Sequence, residues 1–133
     1  MGAGQPGIIL ILMMGLILAA FSLRLHRLGA HSLWYDELLE LDIVQGPLVD
    51  IGPQLIRHAA MPLDYYLLHF WVKLGRQDFW VRLPALLFGV LSIPLTYALA
   101  RRLFNPATGL MAALLLSVAP FAVSYSREAR PYA

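Results

Sequence analysis

The chain has 133 residues, of which 59% are hydrophobic and 14% charged, with a mean hydropathy of +0.67. An ordinary soluble domain carries about 25% charge, so this composition argues for lipid-facing segments. The formal charge is only +2 and the basic residues are scattered, which excludes the clustered stripe of a nucleic-acid footprint. With no cysteine, disulfides and thiolate chemistry are excluded and the redox compartment stays unread.

The first element is a run from Gly7 to Leu23 that is apolar, small or Ser22, with the first charge at Arg24. It is long enough for a spanning helix, placed at about residues 7–25. Ala19-Ala20 would suit a cleaved signal peptide, but Met1 to Pro6 carries no Lys or Arg, so a retained span is expected.

A polar stretch of about residues 26–82 follows, holding seven of the eight acidic residues: Asp36, Glu37, Glu40, Asp42, Asp50, Asp64 and Asp78. A loop this long needs its own structure. Asp36 to Gln45 reads as a short helix with Leu38, Leu41 and Val44 on one side, ended by Gly46-Pro47. Pro62 to Leu74 reads as a second, with Pro62 at the first helical position and Asp64 in the first turn. Its stripe of Leu63, Tyr66, Leu67, Phe70, Trp71 and Leu74 suits a helix lying in the membrane surface. A small soluble domain would explain the same stripe.

Two further apolar runs complete the chain. One, at about 84–102, begins after Arg82, contains Pro94 and ends at Arg101-Arg102; a kink is expected at Pro94. The other, at about 107–125, follows the Asn105-Pro106 turn and carries Pro120 near its end. Gly109, Ala112, Ala113 and Ser117 give it small residues for close packing. The expected fold is all-α: multipass transmembrane helices with amphipathic juxtamembrane helices between the first two. Basic residues on both sides leave the orientation open.

Three stretches could carry chemistry. In Trp34-Tyr35-Asp36-Glu37, adjacent carboxylates at a helix start serve as a capping device or as a site, and only one of the two is expected to face any pocket. Ser126-Arg127-Glu128-Ala129-Arg130 is either a hydrated flank or a partner to the first stretch. Three spans put both on one side of the membrane, so Asp36 and Glu128 can approach, with Arg127 or Arg130 available to a phosphate. The third stretch, Met61 to Trp71, has no pair of histidines at metal-ligand spacing, and His26, His31 and His58 are isolated.

Taken in order, these stretches resemble the N-terminal region of multipass glycosyltransferases that use polyprenyl-phosphate sugars. That GT-C group includes the protein O-mannosyltransferases, the bacterial aminoarabinose transferases and the transferases adding galacturonic acid to lipopolysaccharide. Residues 33–37, Leu-Trp-Tyr-Asp-Glu, resemble the acidic motif of the first external loop, and residues 62–71 the Tyr-Tyr-Leu-Leu-rich helix after it. Residues 82–104 resemble the second span, and residues 117–132 the third span and second loop. Where relatives often carry His-Pro-Pro before the Tyr-Tyr pair, this chain has Met61-Pro62-Leu63-Asp64, which makes Asp64 a candidate substitute.

The resemblance implies sugar transfer, with inversion, from a polyprenyl-phosphate-linked donor to a lipid, glycan or protein hydroxyl. Asp36 would be the general base. Glu37, Asp64, Tyr65 and Glu128 would bind or position substrate, and Arg127 or Arg130 would meet the phosphate. No cofactor is required, and a divalent ion held by Glu37 and Glu128 is the alternative left open. The resemblance further implies a multi-pass protein of the cell (inner) membrane, with a cytoplasmic N-terminus and external acids. Relatives continue through more spans and a soluble domain, so the 133 residues are expected to form a partial active site without turnover of their own. A transporter fragment or a non-catalytic membrane interaction protein are the rival readings. A transporter would carry acids inside its spans, where this chain has none.

Overall fold

The computed structural model describes residues 5–26, 28–30, 32–58 and 62–129. Among these the chain is all helix: α1 (Gln5–Leu25), α2 (Tyr35–Gln45), α3 (Leu48–His58), α4 (Pro62–Trp71), α5 (Asp78–Leu103), α6 (Pro106–Val118) and α7 (Pro120–Tyr125). Of these, α1 and α5 are long and apolar enough to cross a membrane.

The α5–α6 pair is the hairpin expected from Asn105-Pro106. Asn105 caps α6 by accepting from the Thr108 N–H at 2.9 Å, and Pro106 fills the first turn, where a missing N–H costs nothing. The small residues Gly109, Ala113 and Ser117 recur every fourth position and are all buried. A Cβ on Gly109 would come within 2.9 Å of the Tyr97 ring and 3.0 Å of its carbonyl oxygen, so only glycine allows this approach of α6 to α5. Helix α1 closes the layer, and Met13, Ala20, Ile93, Tyr97 and Ala113 form its shared core.

A second apolar core lies under the polar stretch. Ile43 and Val44 of α2, Ile51 and Leu55 of α3, and Tyr65 and Leu68 of α4 meet Val72, Val81 and Ala129 there. Helix α3 is additional to the two helices expected in this stretch; it contains Gly52 and Pro53, and burial of Ile51 and Leu55 outweighs their cost. In α2 the buried side is Glu37, Glu40, Ile43 and Val44; of the face expected from Leu38, Leu41 and Val44, Val44 is buried and Leu41 packs on the core, but Leu38 is exposed. The cause is an arginine on α5 that draws Glu37 inward. In α4 the core side is Tyr65, Leu68 and His69, and Leu63, Phe70 and the following Leu74 point outward. Of the stripe expected at a membrane surface, these three are exposed, whereas Tyr66, Leu67 and Trp71 are partly buried and Tyr66 and Trp71 pack on this core. His69 ties the layers together through Nδ1, 2.6 Å from the Val44 carbonyl oxygen.

Two prolines shape the long helices. Helix α5 begins at Asp78, not at Pro84, and runs on through both Pro84 and Pro94. Pro84 offers no N–H to the Trp80 carbonyl one turn back, and the Trp71 indole N–H donates to that oxygen instead, at 2.9 Å. The Trp71 and Trp80 rings stack with centroids 5.1 Å apart, which clasps the end of α4 to the start of α5. Pro120, by contrast, does break its helix. It disfavours helical geometry at Ala119, whose ψ is 123°, so the expected third run divides into α6 and α7.

Candidate active site

The loop after α1, the start of α2 and the segment after α7 converge at one end of the helices. Trp34 is the N-cap of α2, and its N–H donates to the Glu37 carboxylate at 3.0 Å. The capping function that adjacent acids suggested therefore falls to Glu37. That carboxylate also accepts from Arg82 Nε at 3.0 Å and from a terminal guanidinium nitrogen at 2.7 Å, and from the Ala129 N–H at 2.6 Å. Glu37 is 2% exposed. Arg82 uses its remaining reach on the Leu28 carbonyl at 3.0 Å and the Ser32 carbonyl at 3.3 Å. One buried ion pair thus fixes the loop after α1, the α2 start and the terminal segment together.

The electrostatics follow from this geometry. Burial alone pushes the Glu37 carboxyl up. Hydrogen bonds from Arg82, Ala129 and Trp34, with the Arg82 charge, outweigh burial and hold the carboxyl below its ordinary value. Glu37 is thereby kept as an anion inside the protein.

Asp36, one residue earlier, points elsewhere. It is exposed, and with Trp34, Glu37 and Glu128 it lines an open cavity of about 260 Å³. Glu128 is half-buried in the lining of the same cavity. Trp34 and Tyr35 are both largely exposed beside them. Two carboxylates and an aromatic face around one cavity can accept protons and hydrogen bonds from hydroxyl groups, as sugars and their acceptors present them.

The other residues expected at a site are distributed as follows. Arg127 donates to the His26 carbonyl at 2.7 Å, tying the terminal segment to the end of α1. Asp64 is half-buried in a separate narrow crevice with Leu67, Leu68, Val81, Pro84, Ala85 and Ala129. Tyr65 is buried in the core beneath α2 and α3. Arg130 lies outside the described residues. Among the described residues no three His, Cys, Asp or Glu side chains come together as a metal site.

The sequence profile of the dolichyl-phosphate-mannose-protein mannosyltransferase family matches residues 57–132. The chain belongs to this family. Membership makes it a region of a membrane glycosyltransferase of the GT-C kind. The match takes in α4 to α7 and the terminal segment, including Arg82 and Glu128, while Asp36 and Glu37 precede it. No curated protein and no solved structure matches the chain.

Sequence reasoning had placed Arg24 and Arg82 as charges flanking spans. Both are fully buried and bonded. The signal for Arg82 was the surplus of acids in the preceding loop, one of which a buried cation would claim; spacing alone did not say which.

Proposed function

We propose that the chain is the N-terminal part of an enzyme that transfers a sugar from a polyprenyl-phosphate-linked donor to a hydroxyl of a lipid, glycan or protein acceptor, with inversion, and that Asp36 is the general base. The observation that carries this reading is the division of labour between adjacent acids. Glu37 is held by Arg82 and by the backbone N–H groups of Trp34 and Ala129, while the exposed Asp36 lines a cavity shared with Glu128. A base must reach the acceptor proton, and only the outward carboxylate is placed to do so.

In this reading Asp36 takes the acceptor proton as the hydroxyl oxygen attacks the anomeric carbon. The bond from that carbon to the phosphate oxygen breaks, and polyprenyl phosphate leaves as a stable anion. Glu128 holds an acceptor hydroxyl, and Arg130 meets the phosphate from the terminal segment. Asp64 and Tyr65 support the loop rather than touch substrate. Of the three carboxylates at the cavity, Asp36, Glu37 and Glu128, the second is already held by Arg82. The spans are α1, α5 and the α6–α7 pair at about 7–25, 84–102 and 107–125, with the loop of about 26–82 outside the cell membrane.

The test is transfer of labelled sugar from a synthetic polyprenyl-phosphate donor by an extended protein carrying this region, in membranes, with the anomeric configuration of the product read by NMR. Transfer with inverted configuration is expected. Transfer from a nucleotide sugar in place of the lipid donor, or a retained configuration, overturns the reading.

A further inference from the structure

The side chain of Arg24 is 0% exposed, although it ends an apolar helix and the chemistry above does not use it. A buried arginine is costly unless every donor finds an oxygen. Here the oxygens come from the break at Pro120. Without an N–H at position 120, the Leu116 carbonyl has no helical partner, and the turn at Ala119 also releases the Ser117 carbonyl. Arg24 fills both, donating to Leu116 at 3.2 Å and to Ser117 at 2.9 Å. It also donates to the Ala20 carbonyl at 3.3 Å, within α1. The guanidinium thus sits at the negative end of the α6 dipole, where a cation is favoured.

Its Nε reaches beyond the break to the Ser126 hydroxyl, at 3.3 Å. Ser126 in turn donates to the Ala122 carbonyl of α7. The same hydroxyl packs against Gly89 of α5, where an added Cβ would overlap it. Ser126 is two residues before Glu128 and three before Ala129, whose N–H the Glu37 carboxylate accepts.

We infer that Arg24 is a positioning residue that sets Glu128 in the cavity it shares with Asp36, by filling the carbonyls released at Pro120 and fixing Ser126 at the end of α7. The inference rests on the proposed transfer reaction only for its effect on turnover; its geometric part stands apart from it. Loss of the Arg24 contacts frees α7 to tilt, and the cavity wall carrying Glu128 moves with it. A displacement of about 1 Å at a reacting centre costs as much as about a hundredfold in rate.

The experiment uses the protein in membranes, with Arg24→Gln, Pro120→Ala, both together, Arg24→Lys and Ser126→Ala. The distance between spin labels on cysteines placed at Leu38 of α2 and Phe121 of α7 is one readout; the chain has no cysteine of its own to compete. Sugar transfer from a labelled polyprenyl-phosphate donor is the other. Arg24→Gln should shift or broaden the label distance and lower kcat about tenfold or more, with donor KM little changed. Arg24→Lys, which keeps a cation at the α6 carbonyls, should recover the distance and part of kcat. Pro120→Ala restores an N–H to Leu116, so its effect on the distance and that of Arg24→Gln should not add. If Arg24→Gln does not accumulate in the membrane, Ser126→Ala removes the hydroxyl that joins Arg24 to the Ala122 carbonyl, leaves the Arg24 bonds to α6 in place, and should still lower kcat several-fold. An unchanged distance in Arg24→Gln, additive effects, or an unchanged kcat beside a shifted distance overturns the inference. A shifted, non-additive distance in a protein with no transfer from the lipid donor would instead count against the proposed reaction and leave the relay in place.

Discussion

Arg82 of α5 meets Glu37 of α2 at 2.7 Å, with both side chains almost wholly buried. The two residues lie 45 positions apart, and their pairing joins the loop after α1, the start of α2 and the segment after α7. Removing one partner leaves the other charge buried without compensation, which typically costs about 3–5 kcal/mol.

Glu37→Gln should therefore lower the thermal unfolding temperature of the membrane protein markedly, and Arg82→Met should do the same. Because both changes break one contact, Glu37→Gln with Arg82→Met should cost less than the two single effects added together. A double-mutant cycle on unfolding midpoints in detergent measures this coupling. Additive losses would show that the pair does not act as a unit.

The Glu37 carboxyl is held below its ordinary value in the folded protein, which gives its contribution a definite pH dependence. A depressed folded value means that ionised Glu37 stabilises the fold fully above the ordinary glutamate range. That stability is lost as pH falls through the lowered value. The unfolding midpoint of the wild-type protein should exceed that of Glu37→Gln at neutral pH and converge towards it in acid. A constant gap across the range would contradict this.

The helix types were legible in the sequence, and several helix faces were not. Runs of apolar residues placed α1, α5 and the α6–α7 pair, and Asn105-Pro106 placed the hairpin. Small residues at Gly109, Ala113 and Ser117 named the face of α6 that packs. In α2, apolar spacing chose Leu38, Leu41 and Val44; Val44 is buried and Leu41 packs on the core, but Leu38 is exposed and the buried side also carries Glu37 and Glu40. Periodicity assumes that acids face water, and a buried arginine 45 residues away reverses that assumption. Pro84 and Pro120 look alike in sequence, yet only the second breaks a helix. In each case the released carbonyl is filled by a distant donor, Trp71 or Arg24, that no local pattern reveals. For the candidate site, the argument that only one of two adjacent carboxylates faces a pocket was available from helix geometry. That Glu37 is the inward one required the position of Arg82.

Gly109 is expected to tolerate no side chain. The Cβ of Gly109→Ala meets Tyr97 at 2.9 Å from the ring and 3.0 Å from the backbone, so α5 and α6 must separate. Overpacking of this kind typically costs about 1–3 kcal/mol. Unfolding midpoints of Gly109→Ala and of Ala107→Gly, a change on the exposed first turn of α6, provide the comparison. Equal midpoints for wild type and Gly109→Ala would show that the close approach is not required.

Cysteines placed at Tyr35 and at Glu128 should both react with a membrane-impermeant thiol reagent in intact cells. The cavity joins their neighbourhoods at one end of the helices. Labelling at one position and protection at the other, with both reactive after permeabilisation, would contradict a shared external face.

The central claim is that Asp36, and not Glu37, removes the acceptor proton. Asp36 is not the N-cap of α2 and lines the cavity, so Asp36→Asn keeps the side-chain size and leaves the capping contact of Glu37 in place. Turnover and thermal stability of Asp36→Asn, measured together in membranes with a polyprenyl-phosphate sugar donor, test the claim most directly. The account predicts an unfolding midpoint close to wild type and turnover lower by roughly 10²–10⁴-fold, the usual range for loss of a general base. Near-normal turnover, or a loss that only follows unfolding, would contradict it.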